Sequence, residues 1–288
     1  MEKPDMSIHE KTIGFIGAGN MAEAMIGAIV SSGIMTSSNI MTCDISTEKL
    51  KSMEDAFQIK TTRDSGLLFS ASDIVILAVK PQVMDGVLTQ LTASSKFQLP
   101  QKKLLISIAA GITIARIEKL VYATLDENSR KNLPIIRVMP NTPSLVLEGM
   151  SGFCLNTMAD SDDSETARII LSSMGRVLSF TEPQMDAVTA VSGSGPAYFF
   201  YVVESMVEAG ITLGLTPEES LMLSVQTMKG AAKLLETSSD SPETLRKKVT
   251  SPGGTTEAAI RYFAEAGLKE TIKNGLGAAA RRSKELSS

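Results

Sequence analysis

The sequence predicts an α/β fold, with a Rossmann-type doubly wound sheet at the N-terminus and an all-helical C-terminal part. Short apolar runs alternate with helix-like patterns over about the first 180 residues. The first apolar run ends in a glycine turn that leads directly into an amphipathic helix. No strand-like run follows Phe180. We therefore predict one domain over residues 1–182 and a helical domain over residues 183–288.

The glycine turn lies in Lys11–Ala22, which reads KTIGFIGAGNMA. A strand, a glycine turn and a helix in succession open a dinucleotide-binding unit. Gly17 permits the tight turn, Gly19 leaves room for a pyrophosphate, and Ala22 holds the third glycine position. The helix then presents free N–H groups and a partial positive charge to that anion. The alternative is a structural turn that binds no ligand.

A second strand, predicted over residues 39–43, ends at Asp44. An acidic side chain about twenty residues after the glycine turn contacts the adenosine ribose in NAD-type sites. Asp44 would accept hydrogen bonds from the ribose hydroxyls and repel a 2′-phosphate. The alternative is a turn at the strand end, with Ser46 capping the next helix. No arginine follows Asp44 to receive a 2′-phosphate, which favours NADH as a usable cofactor.

The unbroken apolar run over residues 74–79 predicts a parallel strand that is covered on both faces. A helix over residues 47–57 and a short strand over residues 59–61 precede it. Ligands of such sheets bind outside the carboxyl ends of the strands, so residues 78–81 should border the cofactor. Lys80 either contacts the cofactor or substrate or is a solvated loop lysine.

Two more strands, over residues 104–108 and 134–139, repeat the pattern. The first ends in small residues that let a ring approach, and Thr113 can cap the helix that follows. The second leads into Pro140–Pro143, where two prolines hold Asn141 and Thr142 in a stiff loop. That loop suits the edge of a site, and it is equally a way to end a strand. Residues 151–155 and 177–180 look like further strands around a helix near residues 165–174.

The part after residue 182 reads as successive helices. Residues 197–213 form a long apolar helix, Thr216 opens a capping box, and Ser241 precedes a third helix. The helix faces are more apolar than one small bundle can bury. We interpret the excess as a subunit interface, which makes this part an all-helical dimerisation domain. Extra packing against the first domain would look similar.

A second glycine loop, Ser251–Thr256, precedes another predicted helix. Two adjacent glycines before a helix N-terminus expose several backbone N–H groups, which can bind a carboxylate or a phosphate without an arginine. Thr255 and Thr256 add hydroxyls where a ligand would sit. The alternative is an ordinary interhelical loop with a threonine cap.

Composition narrows the functional classes. The 288 residues carry a net charge of −4 and no basic run long enough to follow a nucleic acid, so we expect no nucleic-acid partner. Cys43 and Cys154 are too few for a disulfide framework and show no metal spacing. His9 is the single histidine, and we expect it in a frayed N-terminal tail. With no signal-like segment and no run long enough to cross a membrane, we expect a cytoplasmic protein without a metal or a membrane partner.

Several motifs point to one family. The stretch VTSPGGTTEAAIRYF, residues 249–263, closely resembles the signature of the pyrroline-5-carboxylate reductase family. IGFIGAGNMAEAM, ILAVKPQ, SIAAGI, RVMPNTP and AVSGSGPAY also occur in that family's order, so the resemblance covers nearly the whole chain. The first of these motifs is shared by many dehydrogenases, whereas AVSGSGPAY and VTSPGGTT are specific.

The resemblance implies the NAD(P)H-dependent reduction of Δ1-pyrroline-5-carboxylate to L-proline, the last step of proline biosynthesis. It also implies a homodimer whose helical domains interlock, or a ring of such dimers. The implied cofactor, NADPH or NADH, would be bound by Ile16, Gly17, Ala18, Gly19, Asn20, Met21, Asp44, Ser46, Ala78, Val79, Lys80, Pro81, Ile108, Ala109, Ala110 and Asn141.

The implied substrate-binding residues are Ser251, Gly253, Gly254, Thr255 and Thr256. Among them Thr256 is the implied catalytic residue, with its hydroxyl on the ring nitrogen of the cyclic imine. Asp44 departs from the family pattern, because relatives that strongly prefer NADPH often carry small polar or arginine residues there. The choice between NADH and NADPH stays open.

Three other functions compete with this one. A β-hydroxyacid dehydrogenase would use a lysine on the first long interdomain helix, and residues 197–213 contain none. A ketol-acid reductoisomerase would hold magnesium on facing helices. Glu204 and Glu208 lie one turn apart and could face inward together, but a polar face or a subunit contact is the favoured explanation for them. A sensor would bind the nucleotide without turnover, and the intact SGSGPAY and SPGGTT loops argue against it.

Overall fold

The structure, a computed structural model, describes residues 8–287. These fall into two compact units, residues 8–193 with 280–287, and residues 194–279. The division at residue 193 comes later in the chain than the predicted boundary at residue 182. The segment after residue 182 stays with the first unit because Met185 is fully buried in that unit's apolar core. The rest of the predicted N-terminal tail, residues 1–7, lies outside the described residues.

The first unit is built on an eight-stranded sheet with the order β3-β2-β1-β4-β5-β6-β7-β8. Strands β1 to β6 are parallel, β7 is antiparallel to β6, and β8 is parallel to β7. The first six strands have the doubly wound order, which confirms the predicted fold class. The strands are β1 (Ile13–Ile16), β2 (Ile40–Cys43), β3 (Lys60–Thr62), β4 (Ile74–Leu77), β5 (Leu104–Ser107), β6 (Ile135–Met139), β7 (Gly149–Leu155) and β8 (Gly175–Ser179).

Helices connect most of the successive strands of this sheet. Three of them, α3, α4 and α6, are absent from the predicted elements. They are short, and residues such as Gly, Ser, Thr and Asn lower helix propensity in short segments. A π-helical turn, Thr189–Gly193, ends the first continuous part of this unit. The helices are α1 (Asn20–Ser31), α2 (Thr47–Phe57), α3 (Ser65–Ala71), α4 (Met84–Thr92), α5 (Ile114–Val121), α6 (Glu127–Lys131), α7 (Ser161–Ser172) and α8 (Met185–Val188).

Strand β4 shows why its sequence is continuously apolar. Ile74 and Ile76 belong to the core layer that includes α1, whereas Val75 and Leu77 belong to the layer that includes α3 and α4. All four side chains are at most 1% exposed. A parallel strand covered on both faces needs an apolar side chain at every position.

The expectation of a frayed tail is wrong for residues 8–10. They form a 3₁₀ turn in which Ile8 is buried in the α1 side of the core. The carbonyl of His9 accepts a hydrogen bond from Asn39 Nδ2 at 3.1 Å, while the His9 side chain points to solvent. Burial of one isoleucine therefore holds this segment to the domain.

The second unit is helical, as predicted. Its helices are α9 (Gly195–Thr212), α10 (Pro217–Thr237), α11 (Pro242–Lys248), α12 (Thr255–Glu265) and α13 (Leu268–Ser287), of which the last contributes residues 280–287 to the first unit. The predicted Thr216 capping box and Ser241 cap are both confirmed. Large apolar side chains of α9 stay exposed, with Phe199, Phe200 and Tyr201 between 60% and 71% exposed. None of the described helices is long and apolar enough to cross a bilayer.

One ion pair, between the buried Arg137 and the half-buried Glu182, links four segments of the first unit. Arg137 Nη1 of β6 donates to Glu182 Oε1 at 2.7 Å, and the Arg137 side chain is 4% exposed. The same carboxylate accepts the Ile114 amide at 3.2 Å, and its other oxygen accepts the Cys154 thiol at 3.2 Å. Removing the Glu182 carboxylate would leave the buried Arg137 guanidinium without a counter-charge, and an uncompensated buried charge strongly destabilises a fold.

We predict that Glu182→Ala destabilises the fold by about 2–3 kcal/mol, because Arg137 loses its partner and the Ile114 amide loses its acceptor. The measurement is urea unfolding followed by circular dichroism. Glu165→Ala is the matched control, because it removes an exposed partner of Arg168 and should cost under about 0.5 kcal/mol. Equal shifts of the two midpoints would show that the Arg137–Glu182 pair contributes no more stability than an exposed pair.

Candidate active site

Most of the predicted cofactor residues lie along one edge of the sheet. Asp44, Gly17, Ala78, Ile108 and Asn141 come at or just beyond the carboxyl ends of β2, β1, β4, β5 and β6. These five strands are neighbours in that order. Strands lie about 4.8 Å apart, so the five ends span about 19 Å. The chain reverses direction across the sheet between β1 and β4, where dinucleotides bind in folds of this class.

Gly17 makes the turn after β1 possible. Its backbone has φ +110°, a conformation that L side chains rarely adopt. Its N–H donates to the Cys43 carbonyl at 2.7 Å, and a Cβ on Gly17 would lie 2.6 Å from the Ala78 carbonyl oxygen. The turn is therefore held between the ends of β2 and β4, with no space for a side chain.

The start of α1 fits an anion. Gly19 is its N-cap, and a Cβ on Gly19 would meet nothing within 4 Å, so the space in front of the turn is open. The amides of Asn20, Met21 and Ala22 make no hydrogen bond among residues 8–287, as expected for the first turn of a helix. Free amides beside open space are what the pyrophosphate of a dinucleotide requires.

Asp44 has a structural role of its own. Its Oδ2 accepts the Ala18 amide at 2.8 Å, and its Oδ1 accepts the Ser46 amide at 2.9 Å. Ser46 in turn caps α2 by accepting the Lys49 amide at 3.3 Å. The carboxylate oxygens that form the strand-end turn are therefore the same atoms that would contact an adenosine ribose. The carboxylate orders the glycine turn and the strand-end turn, and each oxygen keeps a lone pair for a further donor.

The remaining candidates on this edge differ in what they offer. Ile16, Ala18, Ile108 and Ala109 have buried side chains, so their backbone is what a ligand could reach. Lys80 is exposed and has no hydrogen bond or ion pair among the described residues.

Asn141 is used within the fold. Its Oδ1 accepts the Met150 amide at 2.9 Å, and its Nδ2 donates to the Ser192 carbonyl at 3.2 Å and to Ser192 Oγ at 3.4 Å. The side chain thereby ties the loop after β6 to the π-helical turn at Thr189–Gly193. Sequence spacing gave no sign of this contact, because Ser192 is 51 residues away.

The second glycine loop belongs to the helical unit and forms the start of α12. Gly253 has φ +70°, and Gly254 is the N-cap. The amides of Thr255, Thr256 and Glu257 make no hydrogen bond among residues 8–287, and neither do the hydroxyls of Thr255 and Thr256. The loop thus offers three backbone N–H donors to an anion and two hydroxyls to a polar group beside that anion.

Two amides of this loop already have acceptors within the helical unit. The Gly253 amide donates to Glu257 Oε2 at 2.8 Å, and the Gly254 amide donates to the Ser251 carbonyl at 3.0 Å. An acid in the first turn of a helix, three residues after the N-cap, is a capping signal, and it could have been found in the sequence. The loop in the free protein therefore carries a carboxylate of its own.

Neither thiol is suited to nucleophilic chemistry. Burial raises the pKa of Cys43 to about 11, and burial also raises the pKa of Cys154, which lies beside Glu182. Both therefore stay protonated near neutral pH. Glu204 and Glu208 are exposed on α9, and no three potential metal-binding side chains cluster in the part of the chain that the structure describes.

Comparison with known families identifies both parts of the chain. Residues 182–286 match the family model for pyrroline-5-carboxylate reductase dimerisation. Residues 12–111 match the model described as NADP oxidoreductase, coenzyme F420-dependent.

Individual relatives match over nearly the full length. The pyrroline-5-carboxylate reductase of Pseudomonas aeruginosa is 40% identical over 95% of this chain and 96% of its own length. The Arabidopsis thaliana enzyme of the same name is 37% identical over 96% of this chain and 95% of its own.

Solved structures agree with these relatives. The Plasmodium falciparum pyrroline carboxylate reductase with NADP bound has a TM-score of 0.84 and 31% identity, covering 98% of this chain and 100% of that one. The Coxiella burnetii enzyme has a TM-score of 0.87 and 36% identity, covering 96% and 99%. An NADH-preferring ketol-acid reductoisomerase from an uncultured archaeon, 16% identical with a TM-score of 0.63 and covering 97% and 84%, shares the fold alone.

We predict different effects for alanine substitutions at the two glycines of the first turn: a loss of stability at Gly17 and a loss of nucleotide affinity at Gly19. Gly17→Ala places a Cβ against the Ala78 carbonyl and should cost at least about 2 kcal/mol of stability. Gly19→Ala places a Cβ in open space, so the melting temperature should hold while nucleotide affinity falls at least about tenfold. Thermal unfolding and calorimetric titration with NAD(P)⁺ measure both. Undiminished binding by a folded Gly19→Ala variant would remove the turn from the cofactor site.

Proposed function

The chain belongs to the pyrroline-5-carboxylate reductase family and reduces Δ1-pyrroline-5-carboxylate to L-proline with NAD(P)H, and within that reaction we propose which of its residues bind cofactor and substrate. The observation that supports the assignment best is the pair of glycine turns, each with free helix amides. A dinucleotide and a small carboxylate are the two anions that the reaction requires.

The cofactor would lie along the carboxyl edge of the sheet. The amides at the start of α1 would hold its pyrophosphate, and Asp44 would accept from the adenosine ribose with its remaining lone pairs. Backbone groups after β4 and β5, at Ala78–Pro81 and Ile108–Ala110, would border the rest. Asn141 would act by holding the loop after β6 in place, since its polar atoms are engaged with Met150 and Ser192.

The substrate carboxylate would lie on the loop Ser251–Thr255, held by the free amides at the start of α12. Thr256, whose hydroxyl has no partner among the described residues, would donate to or accept from the ring nitrogen. Its half-buried side chain is one residue into the helix, so its position is set by the backbone. This division assigns binding to the loop and orientation of the reacting nitrogen to Thr256.

The chemistry asks mainly for positioning. The bound nicotinamide supplies the hydride, and a protonated imine is already electrophilic at carbon. Thr256 would keep the ring nitrogen and its proton in a fixed direction, while the loop amides fix the carboxylate two bonds away. Holding reactants in near-attack geometry can contribute on the order of 7–11 kcal/mol.

Assembly and location follow from the same assignment. The exposed aromatic side chains of α9 and the match to a dimerisation model support a homo-oligomer with a small-molecule substrate. We propose that it is a homodimer or a ring of dimers. We further propose that it works in the cytoplasm and has no nucleic-acid or membrane partner, consistent with its net charge of −4.

The test is oxidation of NADH and of NADPH at 340 nm, with and without Δ1-pyrroline-5-carboxylate. We expect imine-dependent oxidation by the wild-type protein. Thr256→Ala should lower kcat/KM about ten- to a hundredfold, since one hydrogen bond to the reacting group contributes about 1–3 kcal/mol.

Thr256→Ser is the matched control, because it keeps the hydroxyl and should recover most of the lost rate. Circular dichroism checks that both variants fold. An equally active Thr256→Ala variant would remove Thr256 from the mechanism. No imine-dependent oxidation by the folded wild-type protein would instead favour a nucleotide-binding sensor.

Glu257 gives a second prediction at the same loop. Its carboxylate accepts the Gly253 amide, so an incoming carboxylate meets a like charge beside the free amides. Glu257→Gln keeps a weaker acceptor and removes the charge. We expect KM for the imine to fall by about threefold or more with kcat unchanged. The assay is steady-state kinetics at two salt concentrations, and a raised KM would mean that Glu257 holds the loop in its binding conformation.

A further inference from the structure

The register of the sheet brings a cation to the edge where the adenosine ribose is expected. Strands β2 and β3 are parallel, and Cys43 pairs with Thr62. Asp44 and Arg63 are therefore the next residues on two adjacent strands, at the same carboxyl edge. This proximity is not evident from the sequence, because Arg63 lies 19 positions after Asp44, with a helix and a strand between them.

The charge of Arg63 is not used within the fold. Its side chain is exposed, and it makes no hydrogen bond, ion pair or ring contact in the described part of the chain. Its acidic neighbour Asp64 is engaged elsewhere, since it pairs with Lys96 at 2.5 Å and accepts the Leu67 amide at 2.9 Å. The hydrogen bond from Lys96 keeps the pKa of Asp64 below its usual value, which favours the ionised carboxylate.

Asp44 does not take up the arginine either. Its two oxygens accept the amides of Ala18 and Ser46, and Asp44 and Arg63 form no ion pair or hydrogen bond. A free guanidinium thus lies one strand away from the acid that is placed to meet the ribose. Arginine matches phosphate with two parallel N–H donors, and dinucleotide folds that take a 2′-phosphate use an arginine near this acid.

We propose that Arg63 binds the 2′-phosphate of NADP(H) and so allows this chain to use the phosphorylated cofactor in spite of Asp44. The inference rests on the proposed cofactor site. The acid after β2 serves the ribose hydroxyls of NAD(H), and the arginine after β3 serves the phosphate that NAD(H) lacks.

The experiment is calorimetric titration of the full-length protein with NADP⁺, NAD⁺, 2′,5′-ADP and 5′-AMP. Arg63→Ala should weaken binding of NADP⁺ and of 2′,5′-ADP about tenfold or more, the size of one charge-assisted contact. Affinity for NAD⁺ and 5′-AMP should change less than about twofold, since those ligands bring no phosphate to Arg63. Salt dependence of NADP⁺ binding should become less steep.

Two variants sharpen the result. Lys60→Ala removes an equal charge from the opposite end of the same strand, where Lys60 pairs with Met41, and it should change NADP⁺ affinity less than about twofold. Arg63→Lys keeps the charge without the fork and should recover only part of the affinity.

The possible results distinguish a failure of the Arg63 proposal from a failure of the proposed cofactor site. If Arg63→Ala and Lys60→Ala weaken NADP⁺ binding equally, or if NAD⁺ loses as much as NADP⁺, Arg63 has no specific role. If the wild-type protein binds NAD⁺ and not NADP⁺, the inference is overturned while the cofactor site stands. If it binds neither nucleotide, the cofactor site falls and the inference falls with it.

Discussion

The turn at Gly17 is the constraint on which the rest of the first unit depends. Its N–H donates to the end of β2, and its missing side chain lets it rest against the end of β4. Because both neighbours are fixed in this way, α1 must begin at Asn20 with its first amides facing open space. The same geometry brings Ala18 within 2.8 Å of Asp44. One residue without a Cβ thus sets the position of the free amides at the start of α1 and of the acid beside them.

Features that depend on local chemistry could be predicted from the sequence. The sequence predicted all six parallel strands, five of them from apolar runs. The expected caps at Thr113 and Thr216 form, and so does the Ser46 cap that belonged to the alternative interpretation of Asp44. What the sequence did not reveal depends on tertiary contacts. Helix α3 has only seven residues, and the π-helical turn at Thr189–Gly193 is tied to a distant asparagine. Ile8 is buried in the same core layer as side chains of α1 and β1, which no pattern in a short polar tail indicates.

In the candidate site, too, local sequence patterns predicted some features, and others depend on tertiary contacts. Residue types and spacing predicted which segments gather at the edge of the sheet and at the start of α12. They could not tell which polar atoms remain free, because that depends on partners distant in sequence. Asn141 is engaged with Met150 and Ser192, whereas Lys80 and Arg63 have no partner among the described residues. Only the pairing of Cys43 with Thr62 reveals that Arg63 stands beside Asp44.

Both glycine turns are tied by a carboxylate of the chain itself, and the consequence differs between them. Asp44 accepts the Ala18 amide, which precedes α1, so the amides of the helix start remain available to an anion. Glu257 accepts the Gly253 amide, which belongs to the loop that would receive the substrate, and its charge lies on the first turn of that helix. In the proposed cofactor site, the first acid would therefore order the turn without competing for the free amides. In the proposed substrate site, the second acid would stabilise the loop before binding and oppose an incoming anion, so binding there would be a balance between two carboxylates.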